Sequence, residues 1–127
     1  MTIETQDDIV ALKRIGKIVS AVLQKMLDAA EPGMTTRELD SPGERLLAEQ
    51  GARSAPRLTY NFPGATCISI NEQAAHGVPG DRIIRAGDVL NVDVSAELDS
   101  RMMSLPIFGW CISSPVESKA SREARKF

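Results

Sequence analysis

A chain of 127 residues with 43% apolar and 25% charged residues is sized and composed for one globular domain, and with 4% aromatic residues its core must be built from aliphatic side chains. The acidic start MTIETQDDIV is unlike a secretion signal, no apolar run approaches the ~20 residues of a membrane span, and two cysteines fit neither zinc-finger spacing nor a disulfide framework. A soluble cytoplasmic protein with free thiols is therefore expected, with no membrane partner. Charge is uneven: residues 1–100 carry 10 Lys and Arg against 15 Asp and Glu, and residues 101–127 carry 5 against 2. Basic residues this sparse read as a solvated face, so no nucleic-acid partner is expected.

Thr5 is placed to cap a helix that begins with Asp7 and Asp8, whose charges suit the positive helix end. Ile9, Leu12, Ile15, Val19, Val22, Leu23, Met26 and Leu27 recur at steps of three and four, which predicts one buried helical face. Pro32-Gly33 ends the pattern. Thr35-Thr36-Arg37-Glu38 has capping-box form and predicts a second helix toward Gln50. Inside that span Ser41-Pro42-Gly43 predicts either a kink or a restart with Ser41 as cap.

Thr66 to Ile70 reads as a short strand between Pro63-Gly64 and Asn71. Turns follow at Val78-Pro79-Gly80-Asp81 and Arg85-Ala86-Gly87-Asp88, where Asp81 and Asp88 are expected to act as turn formers. Val89 to Ala96 alternates like a half-buried strand, with Val89, Asn91, Asp93 and Ser95 on one face and Leu90, Val92, Val94 and Ala96 on the other. Beyond Asp99 no clean period is legible, and Glu117 to Lys126 forms a weak, polar helix candidate.

Three blocks carry a resemblance to a known family: Tyr60 to Glu72, with Asn61-Phe62-Pro63-Gly64 and Cys67-Ile68-Ser69-Ile70-Asn71; then Ala75-His76-Gly77-Val78-Pro79; then Gly87 to Val94. In this order and spacing, with Pro32-Gly33, Thr35 and Glu38-Leu39-Asp40 before them, they resemble type I methionine aminopeptidases over about residues 3–99. The resemblance implies an α/β (α+β) chain forming half of the pita-bread fold, with two helices on a mostly antiparallel sheet. It implies a methionine aminopeptidase-like half-domain over 1–100, followed by a divergent, poorly ordered tail over 101–127.

By the same resemblance Asp93 matches a metal-binding aspartate, and His76 matches the histidine that contacts the scissile amide of the substrate. Tyr60, Phe62 and Cys67 match positions lining the pocket for the methionine side chain. The implied substrates are amino-terminal peptides of nascent proteins. The implied cofactors are two divalent metal ions (cobalt, manganese, iron or zinc), held in the family by two Asp, one His and two Glu. Such ions favour carboxylate and imidazole donors, and a close pair lowers the pKa of a bridging water.

The resemblance stops abruptly after Asp99. The second metal-binding aspartate would fall at position 104, which is Ser104, so Asp93 alone of the five ligands has a counterpart. Catalytic metal sites need about three protein ligands. The chain alone is therefore expected to be an inactive, truncated family member, with residues 101–127 arising from truncation or a shifted reading frame. Three functions compete: an aminopeptidase completed by a separate chain that bears the other ligands, a non-catalytic peptide-binding or interaction module, and a product without activity, for which self-association through an uncovered apolar face is expected. Cys111 and the Met102-Met103 pair receive no role.

Overall fold

The computed structural model describes residues 5–73, 77–98 and 107–124. Helix α1 spans Gln6–Ala29. Its amino end is closed reciprocally: the Asp8 amide donates to Thr5 Oγ1 at 3.2 Å and the Thr5 amide to Asp8 Oδ2 at 3.1 Å, which satisfies donors that a helix start leaves unpaired. The chain turns at Gly33, whose φ of 98° suits a residue without a side chain, and helix α2 follows over Thr36–Glu49 with Thr35 as cap.

Helix α2 runs through Pro42 without the restart that one reading of the sequence expected. Two local features accommodate the ring. Ser41 Oγ donates to the Arg37 carbonyl at 3.3 Å, and Gly43 brings α2 close to α1: a Cβ there would lie 2.6 Å from Met26 Sδ. A proline that weakens the helical ladder is tolerated because tertiary packing on α1 holds the segment.

Strand β1 (Ala52–Ser54) and the short helix α3 (Ala55–Tyr60) come next, neither of them legible in the sequence. Strands β2 (Cys67–Ile70), β3 (Val89–Leu98) and β4 (Ile107–Pro115) precede helix α4 (Lys119–Ala124). All pairing is antiparallel and centres on β3. Because β4 pairs with β3 from Val89 to Glu97, β1 and β2 share the opposite edge of β3 end to end.

The expected alternation along β3 is present. Leu90, Val92, Val94 and Ala96 are buried, whereas Asn91, Asp93 and Ser95 are half-exposed. The buried set joins Ile68 and Ile70 of β2 and packs on the α1 stripe of Ile15, Val19, Val22, Leu23 and Met26, with Leu39 and Leu47 of α2 extending the core. Each buried Leu, Ile, Val or Met side chain among them contributes roughly 1.5–3 kcal/mol. One apolar sheet face is thus covered by helices, and the other face carries the polar row.

The stretch read as a divergent, poorly ordered tail contributes β4 and α4 among its described residues. An edge of β3 supplies a full set of backbone donors and acceptors, so a segment can pair there without a side-chain period of its own. Val116 continues the connection: its amide donates to the Asp88 carbonyl at 2.8 Å and its carbonyl accepts from Gly87 at 3.0 Å. Ser104 and the Met102-Met103 pair lie outside the described residues.

Candidate active site

Antiparallel register places Cys67 of β2 directly opposite Asp93 of β3, and Ser69 opposite Asn91. On its other side Asp93 is the register partner of Cys111 in β4. Directly opposed residues in an antiparallel pair project to the same face about 5 Å apart. Ser95 Oγ donates to Asp93 Oδ1 at 3.3 Å, and the Asp93 carboxylate is half-exposed. Further along β3, Glu97 is buried and ion-paired with Arg53 of β1.

The segment leading into β2 is fixed from several sides. Ser54 caps α3, accepting from the Arg57 amide at 3.4 Å, and donates its own hydroxyl to the Ala65 carbonyl at 2.6 Å. Asn61 ends α3 in the left-handed region with φ of 51°, and the Phe62 amide returns to the Pro56 carbonyl at 3.3 Å. From α2, the buried carboxylate of Asp40 accepts from the Ala65 amide at 3.0 Å, the Thr66 amide at 2.8 Å and the Thr66 hydroxyl at 2.6 Å.

Beyond β2 the chain doubles back along the same strand. The Ile68 amide donates to the Gly77 carbonyl at 2.9 Å, and the Gly77 amide donates to Ser69 Oγ at 3.0 Å. Position 77 has room only for glycine, since a Cβ would lie 2.1 Å from the Ile68 carbonyl oxygen. At the turn into β3, Asn71 Nδ2 donates to Asp88 Oδ1 at 2.9 Å while its Oδ1 accepts from Val89 at 2.8 Å. Asp88 also accepts from the Arg85 amide, and these bonds hold its carboxyl below the usual carboxylate range. Asp88 thus closes a turn, as its sequence context suggested, and Asp81 pairs with Arg37.

Of the residues singled out in the sequence, Cys67 and Asp93 are brought together as cross-strand partners. Phe62 is half-buried in the loop before β2. Tyr60 is the last residue of α3. His76 lies outside the described residues. Burial pushes the Cys67 thiol up to about 11, assisted first by the carboxylate of Asp93 and then by that of Asp40. A thiol so disposed is neutral near pH 7 and a poor nucleophile.

Asp40, Ser54 and Ser69 position this region and were not assigned that role from the sequence. The available signal was Asp40 itself: it follows Leu39 and precedes Gly43 and Leu47 on the buried face of α2, and a carboxylate there must be engaged by donors. A cleft of about 240 Å³ between α2, β1 and α3, walled by Leu47, Ala48, Leu58 and Ala65, includes neither Phe62, Cys67 nor Asp93.

A pair of divalent ions requires several ligands on one face. Among the described residues no three His, Cys, Asp or Glu side chains gather so as to hold a metal ion, and Glu97, the next carboxylate along the polar face of β3, is engaged by Arg53. These residues do not by themselves fit the pair of ions implied by the resemblance, although the single carboxylate of Asp93 is of the right donor type. Among the same residues no helix is long and apolar enough to cross a membrane.

The chain belongs to metallopeptidase family M24, whose family model matches residues 10–124. Its relatives there are methionine aminopeptidases. It is 53% identical over 96 residues to the methionine aminopeptidase of Staphylococcus epidermidis, covering 76% of this chain and 38% of that protein. It is 47% identical over 98 residues to methionine aminopeptidase 2 of Bacillus subtilis, covering 76% and 39%. The chain therefore spans well under two thirds of the length of these relatives.

Solved structures agree. Methionine aminopeptidase from Rickettsia prowazekii superposes with a TM-score of 0.79 at 26% identity, covering 98% of this chain and 48% of that one. The enzyme from Thermotoga maritima, at 22% identity, shares the fold with a TM-score of 0.80 over 97% of this chain and 49% of its own. The architecture is the helices-on-antiparallel-sheet arrangement of pita-bread methionine aminopeptidases, as the sequence resemblance implied.

Proposed function

We propose that this chain forms the part of a methionine aminopeptidase that receives the initiator methionine of newly made proteins in the cytoplasm. The observation that carries the reading is the direct cross-strand pairing of Cys67 with Asp93. Through it, one side chain assigned to the methionine pocket adjoins the one assigned to the metal centre. The names of the relatives point to the same substrate class. In this reading Tyr60, Phe62 and Cys67 form the pocket, where a neutral thiol and an aromatic ring suit a flexible thioether. By the resemblance His76 takes the role of the histidine that contacts the scissile amide, and Asp93 offers one carboxylate to a divalent ion such as cobalt, manganese, iron or zinc.

These 127 residues bind but do not cleave. Support comes from the lack, among the described residues, of three His, Cys, Asp or Glu side chains gathered to hold a metal ion, and from Ser104 standing where the resemblance requires a second aspartate. Hydrolysis then belongs to an assembly whose further ligands come from sequence outside these residues, in a complementing chain or a longer protein. The experiment is a methionine-release assay on a Met-Ala-Ser peptide with added cobalt or manganese, run beside calorimetric binding of the same peptide. Binding without turnover is expected. Turnover that disappears in Asp93→Ala would overturn the inactivity, and absence of binding would overturn the pocket.

A further inference from the structure

Asp40 is an ionisable side chain 6% exposed on the buried side of α2, and its carboxylate is spent entirely on the loop before β2. It receives two successive backbone amides and one hydroxyl, all from Ala65 and Thr66. Hydrogen bonds to a buried carboxylate are short and stiff. The same stretch is held from the other side by Ser54, which donates to the Ala65 carbonyl at 2.6 Å. One residue earlier, Gly64 is wedged: a Cβ there would meet Pro79 Cγ at 2.7 Å and Asp40 Oδ2 at 3.3 Å. Residues 64–66 are therefore clamped between α2, β1 and the 77–80 loop.

Phe62 lies just before this clamp and Cys67 directly after it, so the spacing between them is set by a side chain of α2 rather than by the loop. We propose that Asp40 is a specificity-determining positioning residue, whose hold on Ala65 and Thr66 fixes the separation of Phe62 and Cys67 and so the shape of the methionine pocket. The inference rests on the pocket reading given above. A carboxylate serving only as a core staple would affect stability without changing which side chain is preferred.

The test uses the full chain and the calorimetric affinities of two peptides, Met-Ala-Ser and Leu-Ala-Ser, which differ in the shape of one side chain. Asp40→Asn keeps the volume and removes the charge, Thr66→Val removes only the hydroxyl donor, and Thr66→Ser retains it. The preference for methionine over leucine is expected to shrink by about tenfold in Asp40→Asn and Thr66→Val, the scale on which pocket shape discriminates apolar side chains, and to persist in Thr66→Ser. Equal losses for both peptides, with the ratio unchanged, would overturn the proposal. If Asp40→Asn does not fold, the Thr66 pair decides. A wild-type chain that binds neither peptide would remove the pocket reading and this inference with it, a result visible before any variant is made.

Discussion

Cys67 and Asp93 stand directly opposite one another on β2 and β3, and the carboxylate helps to keep the thiol protonated. The pairing couples the proposed pocket wall and the proposed metal carboxylate through two adjacent strands. A one-residue slip would send both side chains into the core and the apolar set into water.

Stability above neutral pH should report this environment. The folded chain holds the Cys67 proton to about 11, against 9.0 for an ordinary thiol. A pKa raised by folding means that the native state binds the proton more tightly than the unfolded chain. The contribution is therefore complete below about pH 9 and is lost as the pH rises through about 11. Melting temperatures over that range should fall more steeply for wild type than for Cys67→Ala; parallel curves would contradict the assignment.

Reactivity gives an independent view of the same pair. After burial, the carboxylate of Asp93 is the next cause of the raised thiol, so neutralising it favours the thiolate. In a Cys111→Ser background, iodoacetamide should modify Asp93→Asn several-fold faster than its parent at about pH 9. An unchanged rate would mean that burial and Asp40, without Asp93, control the thiol.

Gly77 and Gly80 make a matched comparison in one loop. A methyl at 77 would collide with the Ile68 carbonyl at 2.1 Å, a backbone atom inside the sheet, whereas at 80 the nearest atom is the Val78 carbonyl oxygen at 3.8 Å. Gly77→Ala should cost about 3 kcal/mol or more in urea denaturation, the upper range for overpacking, and Gly80→Ala less than about 0.5 kcal/mol. Equal effects would show that the segment relaxes away from β2.

The cap of α1 is predicted to be worth about 1 kcal/mol, since Thr5→Ala removes the acceptor for the Asp8 amide. Thr5→Ser, which keeps the oxygen, should recover most of that loss. Thermal denaturation of the two variants measures the difference.

Much of this architecture was legible in the residues because its causes are local. The spacing from Ile9 to Leu27 predicted a long helix, and Thr5 lies at its start, as α1 confirms; alternation from Val89 to Ala96 predicted β3 and assigned Asp93 to the polar face. The rest depends on partners distant in sequence. Segments β1 and β4 are short or without period and take their form from the edges of β3, and α3 is capped by Ser54, which is itself tied to the distant Ala65 carbonyl. Pro42 stays helical because α2 packs on α1 through Gly43. Asp40 clamps a loop 25 residues away, a relation that no spacing rule contains.

Sequence alone determined the helical and strand periods, the family resemblance and the face on which Asp93 lies, since each is written in near-neighbour chemistry. Tertiary structure decided that Cys67 faces Asp93, that Asp40 holds the loop leading into β2, and that β4 closes the far edge of the sheet. Those outcomes arise from backbone pairing and burial between segments whose meeting is settled only when the whole chain packs at once.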